Sequence, residues 1–197
     1  MQRIILCSIQ RTAAQDLDRK GETAMSTWNL DGTHSVVEFK VKHMMISNVK
    51  GRFEKMTGVL NYDPADKANA RIEAAVEVGS INTHDAQRDA HLKGADFFDA
   101  EKFPTMTFKS FKVLPADGIV EGELTIKGVT KTVDFEVSGP TDPAKDPWGN
   151  TRVGVEVTTK ISRKEFGLTW NAALETGGVL VGDEVTISIE AQFVQQA

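Results

Sequence analysis

Cysteine is almost missing from this chain. Cys7 is the single thiol among 197 residues, which excludes an internal disulfide and a thiolate metal cluster. Long apolar runs are missing too: no stretch approaches the roughly 20 residues that a membrane-crossing helix needs, so no helical span is expected and only transient membrane contact remains open. No block of Lys and Arg occurs and the formal net charge is -5, so nothing tracks a phosphate backbone and nucleic acid is not an expected partner. The four histidines, His34, His43, His84 and His91, include no i, i+4 pair flanking a carboxylate, and no metal site is expected. Gly122, Gly128 and Gly177-Gly178 lack the strand-loop-helix context of a phosphate cradle and read as turn and bend glycines.

What is present is 40% hydrophobic residues in a length suited to one domain with one core. Residues 1–25 stand apart. Apart from Ile4 to Ile9 they carry mixed charge and few large apolar side chains, and they are expected to form a flexible N-terminal extension ahead of a single domain at residues 26–197. The apolar core of this stretch is brief and no small-residue cleavage site follows, so the expected location is cytoplasmic, with the periplasm as the alternative. Met25-Ser26 is a second candidate for the translation start.

From Trp28 onward, apolar and polar residues alternate with period two, the spacing that puts one strand face on a core and the other in water. Val37, Phe39, Val41 and His43 oppose Glu38, Lys40 and Lys42. Ile72, Ala74, Val76 and Val78 oppose Arg71, Glu73 and Glu77. The pattern returns in Val133, Phe135 and Val137, in Val153, Val155 and Val157, and from Val185 to Phe193. With segments near 47–63, 104–114 and 117–127, about eight strands are counted, joined by turns such as Asp117-Gly118 and Lys127-Gly128. An antiparallel meander of that size protects its edges by closing, so the expected fold is all-β, an eight-stranded antiparallel barrel. Small inner residues (Ala74, Val76, Gly122, Val155, Ala191) are expected to leave volume unfilled.

Residues 83–103 break the pattern. Ala86 to Lys93 reads as a short helix capped by Thr83 or Asp85 and stopped at Gly94. Phe97, Phe98 and Phe103 follow, too apolar a group for water, so this insertion is expected to fold over a barrel opening as a lid. Arg88 and Asp89 are expected to tie the helix to the barrel through charge-assisted hydrogen bonds, with Arg88 and His91 as neighbours on one helix face and Asp89 pointing elsewhere. No nucleophile accompanies them, so no catalytic residue and no enzyme activity are expected. Trp148 is expected to pack on the barrel rim, and Trp170-Asn171 to begin a long loop reaching Asp183.

Several blocks in order resemble one known family: Trp28-Asn29-Leu30-Asp31 with His34-Ser35; Val49-x-Gly51-x-Phe53; Ser80-Ile81-Asn82-Thr83; Arg88-Asp89-x-His91-Leu92; Asp96-Phe97-Phe98-Asp99; Phe103-Pro104-Thr105-Met106-Thr107-Phe108; Gly122-x-Leu124-Thr125-Ile126; and Arg163-x-x-Phe166-Gly167-Leu168. Together they resemble the YceI-like polyisoprenoid-binding proteins across residues 27–194. The resemblance implies a lipocalin-like barrel that binds, and transports or stores, a polyisoprenoid or similar amphiphilic lipid in its interior, the lipid being a ligand and no cofactor being required. The expected tunnel wall is Phe39, Val41, Phe53, Val76, Phe97, Phe98, Met106, Phe108, Phe135 and Val155. His43 is expected near a polar head, and the chain is expected to enter beside the lid. An enzyme acting on a small amphiphile and a stress-associated interaction module with a filled core are the alternatives. A homodimer is compatible with all three.

Overall fold

The computed structural model describes residues 25–174 and 178–196, so the expected extension lies outside the described residues except for Met25. In chain order the elements are β1 (Ser26–Leu30), β2 (Val36–His43), β3 (Ser47–Phe53), β4 (Met56–Tyr62), β5 (Arg71–Glu77), β6 (Ile81–Asn82), α1 (Ala86–Lys93), β7 (Thr105–Leu114), β8 (Ile119–Ile126), β9 (Val129–Ser138), β10 (Ala144–Lys145), β11 (Thr151–Ser162) and β12 (Val181–Gln195). The first six strands are three long ones, each interrupted once. β1 and β2 flank the same side of β12, β4 and β3 pair with them, and β5 and β6 pair with β4 and β3. Counted this way the sheet has eight antiparallel members in sequence order, and β12 closes it by pairing with β11 on one side and β1–β2 on the other. The expected barrel is the observed one.

The interruptions are built by side chains that satisfy the backbone groups freed there. Between β1 and β2, the Asp31 carboxylate accepts the Thr33 N–H at 3.0 Å, and Ser35 Oγ donates to the Asp31 carbonyl at 2.7 Å while accepting the Gln192 N–H. Between β3 and β4, Ser80 Oγ accepts the N–H groups of Glu54 and Lys55, both at 3.1 Å. Two of the sequence blocks, around Asp31 and around Ser80, are therefore devices for bending long strands into a small barrel. Glycine serves a third purpose. A Cβ on Gly51 would lie 2.5 Å from Phe39 Cζ, and one on Gly122 would lie 2.3 Å from Phe108 Cζ, so each glycine is the seat of an aromatic ring on the neighbouring strand. Gly122 does not leave empty volume, as the sequence suggested; the Phe108 ring takes it.

The barrel is weakest between β9 and β11, which pair over only three residues, Ser138 to Glu136 against Glu156 to Thr158. Beyond them Thr159 Oγ1 donates to the Asp134 carbonyl at 2.8 Å. A 3-10 turn, Arg163–Phe166, packs alongside and buries Phe166 in the core.

Candidate functional site

The two ends of the barrel are closed differently. At the end reached by the β2–β3 turn, the insertion folds inward as a plug. Asp85 caps α1 by accepting the Gln87 and Arg88 N–H groups. Asp89 then accepts both the N–H and the hydroxyl of Thr83, at 2.9 and 2.6 Å, and the Arg88 guanidinium donates to Thr83 Oγ1 at 2.7 Å and to its carbonyl at 2.8 Å. Arg88 and Asp89 do tie the helix down, but they converge on Thr83 instead of diverging, because Thr83 sits just before the first turn. His91 is held apart from Arg88: it pairs with Asp96 at 3.2 Å and lies edge-on to Phe97 and Trp170.

From this anchor an aromatic stack enters the barrel. Phe39 packs on Phe53 with ring centroids 5.7 Å apart, Phe53 on Phe98 at 5.9 Å, and Phe97 on Trp170 at 5.2 Å. The sequence marks Trp170 only as the start of a loop. The loop is instead locked by Arg163, 3% exposed, which donates from Nε to the Gly182 carbonyl at 2.8 Å and from Nη1 to the Leu168 and Trp170 carbonyls. Burial depresses the Arg163 pKa, yet a guanidinium stays charged throughout the ordinary pH range. The plug is thus part of the hydrophobic core, and the expected entry beside it is packed shut.

Behind the plug lies a cavity of about 270 Å³. Its wall is almost wholly apolar: Met56 and Leu60 of β4, Ile72, Ala74 and Val76 of β5, Met106 and Phe108 of β7, Phe135 and Val137 of β9, Val155 and Val157 of β11, and Ile187 and Ile189 of β12 all face it. Buried Ser110 also lines it, but its hydroxyl oxygen already accepts the Ile72 N–H at 2.9 Å. The cavity meets solvent at the end opposite the plug, where Lys67, Arg71, Pro115 and Gly139 are both lining and exposed. One side of that end is sealed by Trp28, Leu60, Tyr62, Val153 and Phe193. Tyr62, which sequence reasoning did not single out, lines the cavity, and its phenol pKa is raised by burial and then by the charges of Asp142 and Asp63, so it stays neutral.

Of the residues expected to form a tunnel wall, Val76, Met106, Phe108, Phe135 and Val155 line the cavity. Phe53 and Phe97 are buried in the plug-end core, with Phe39 and Phe98 packed against it. Val41 and His43 lie farther along β2 toward its tip, half-buried, away from the cavity. The cations near the opening are Lys67 and Arg71.

The loop between β9 and β11 is pinned near the same end. Arg152 bridges two carboxylates, donating to Asp31 at 2.6 Å and to Asp146 at 2.7 Å. Asp146 also accepts the N–H groups of Trp148 and Asn150. The Arg152 guanidinium, assisted at Asp31 by Thr33 and His34 and at Asp146 by Asn150, holds both carboxyls well below the usual carboxylate range. Trp148 is 80% exposed and does not pack on the rim as expected, because the tight Asp146-centred turn directs it outward.

Three similarities bear on this architecture. A UPF0312 protein of Staphylococcus aureus is 40% identical over 172 residues, covering 86% of this chain and 98% of that one. The crystal structure of BcnA from Burkholderia cenocepacia superposes with a TM-score of 0.70 at 28% identity, covering 83% of this chain and 98% of that one. A polyisoprenoid binding domain from Saccharophagus degradans, implicated in plant cell wall breakdown, shares the fold with a TM-score of 0.63 at 16% identity, over 88% and 100% of the two chains. The family model for the YceI-like domain matches residues 28–193, and the chain belongs to that family.

Proposed function

We propose that this barrel is a carrier or store for a long apolar chain, of the polyisoprenoid or similar amphiphilic lipid class, and that it performs no chemistry on it. The observation that carries the reading is the pairing of a nearly all-apolar cavity with an opening at the end away from the plug. Such a wall takes hydrocarbon from water at about 0.8 kcal/mol per buried CH₂ and offers little to a polar solute. The ligand of the Saccharophagus degradans domain is of the same class. In this reading the chain inserts past Pro115 and Gly139 and its end stops against the plug. A polar or anionic head stays at the opening beside Lys67 and Arg71, in place of His43.

The cavity itself argues against a filled-core module. An enzyme needs an acid, a base or a nucleophile set together against the substrate, and the polar lining groups are scattered: Ser110, whose oxygen accepts a backbone N–H, a neutral Tyr62, Thr107, and Lys67 and Arg71 at the opening. The test is mass spectrometry of an organic extract from protein purified without detergent, set beside native mass spectrometry of the intact protein. A stoichiometric apolar-chain lipid is expected in both. Protein that emerges empty and takes up no added polyprenyl compound overturns the proposal.

A further inference from the structure

The tip joining β2 to β3 combines three features that each work against stability in water. Its turn residues Met44 and Met45 have φ of 50° and 60°, and the Ile46 N–H donates to the His43 carbonyl at 3.2 Å, the pattern of a type I′ turn. That turn ordinarily takes Asn-Gly, because a side chain in the left-handed region is strained. Its side chains are also apolar and in solvent: Met45 is 62% and Ile46 80% exposed. With Met44 and Val179 they make up four of the eight large apolar side chains exposed among the described residues. Val179 stands beside them because the Met44 N–H donates to the Leu180 carbonyl at 2.7 Å.

The third feature is charge. Lys40 and Lys50 lie directly opposite each other on the outward face of the hairpin, a like-charge pairing that sheets avoid, and Lys42 follows toward the tip. None of the three has a carboxylate within ion-pair distance among the described residues. Of the described acids nearby, Asp183 is held by Lys164 at 2.6 Å and Glu184 by Lys160 at 3.2 Å, while Glu38 lies opposite Arg52, which itself pairs with Glu54 at 3.1 Å.

We propose that the Met44–Ile46 tip, with Val179 and the Lys40, Lys42 and Lys50 side chains, is a docking surface for an anionic lipid bilayer. The apolar tip enters the headgroup region, while the lysines set back along the strands meet the phosphate layer. Charge complementarity selects this occupant over a second copy of the chain, because two such tips would bring six uncompensated lysines together. The inference does not rest on what the cavity holds. The tip lies at the plugged end, so it places the protein on a membrane with the cavity mouth facing away.

The test is flotation of the full chain with phosphatidylglycerol-phosphatidylcholine vesicles and with phosphatidylcholine vesicles alone. Binding is expected only to the anionic vesicles and should weaken with salt. Lysines near such a surface contribute about fivefold each to partitioning, so Lys40→Gln, Lys42→Gln and Lys50→Gln combined should lower it about a hundredfold. Met44→Asn with Met45→Gly installs the preferred turn and should raise the melting temperature while abolishing flotation, a combination that a merely structural tip would not give. Equal binding to neutral vesicles, no binding by the native chain, unchanged flotation of the turn variant, or a dimer or N-terminal segment found covering the tip would each overturn the proposal. A substitution that closes the cavity, Ala74→Phe, should leave flotation unchanged, which separates failure here from failure of the carrier reading.

Discussion

Filling the cavity from its own wall is the sharpest test of where a ligand lies, and Ala74 is the position to fill. It faces the cavity from β5, opposite Gly58 on one side and Phe108 on the other, so a longer side chain there projects into space and not into a neighbouring strand. One benzene fills an apolar cavity of about 150 Å³. A phenyl ring at position 74 would therefore take more than half of the 270 Å³ available. Six ring carbons displace a comparable length of bound chain, worth a gross transfer of about 5 kcal/mol at 0.8 kcal/mol per CH₂. Allowing half of that for a chain that shifts toward the mouth leaves about 2.5 kcal/mol, roughly a seventyfold loss of affinity. The fold should tolerate the change, because a ring entering a void gains contacts that offset an overpacking cost of about 1–3 kcal/mol. The assay is lipid occupancy by native mass spectrometry alongside the thermal unfolding midpoint of Ala74→Phe. Full occupancy in a variant that melts like the native protein would refute the placement of the chain in this cavity.

Three further outcomes follow from the contacts around the site. Gly122→Ala brings a Cβ to 2.3 Å from Phe108 Cζ and 2.7 Å from the Lys109 carbonyl, and should cost about 1–3 kcal/mol in denaturant unfolding. Arg163→Met leaves the Gly182, Leu168 and Trp170 carbonyls without their donor and should cost about 3–5 kcal/mol, with protease cutting in residues 167–180 appearing first. Asp31 and Asp146 have folded-state pKa values below their unfolded ones, so the stability they add is complete above about pH 4 and is lost as the pH falls through the folded values. Acid unfolding of the native chain should therefore be steeper than that of Arg152→Gln, which removes the main cause of both shifts.

The sequence was most informative where one side chain reports on its own strand. Period two assigned Ala74, Val76, Phe135 and Val155 to the inner face without knowledge of the partners, because facing depends only on parity. It could not say how far along the barrel a residue lies. Phe39 and Val41 share a face with Val37, yet Val37 lines the cavity, Phe39 joins the plug and Val41 lies beyond it. Depth depends on the stagger of strands and on what fills each end, and those are tertiary facts. The same holds for Gly122, which alone reads as an absence and beside Phe108 is a socket. Trp170 and Arg163 were missed as structural residues because their partners are backbone carbonyls and rings distant in sequence.

The distribution of polar groups bears on what the barrel can distinguish. The strong polar clusters sit in or beside connections between strands: Thr83 with Arg88 and Asp89 at the plug, Arg163 under the loop before β12, and Asp31 with Arg152 and Asp146 beside the open end. These clusters spend their hydrogen bonds on backbone and on one another, which fixes the ends of the strands and leaves the interior to hydrocarbon contacts. An apolar wall discriminates weakly between chains that differ by a methylene, by about 1–3 kcal/mol, and offers few polar groups, Ser110 and Tyr62 among them, with which to read a functional group along the chain. Selectivity in the carrier reading must then come from length, measured between the plug and the mouth, and from the head held near Lys67 and Arg71. Saturated and unsaturated chains of equal length with the same head should therefore compete on nearly equal terms, and a tenfold or greater preference between them in a displacement assay would mean that the wall contributes a contact absent from this arrangement.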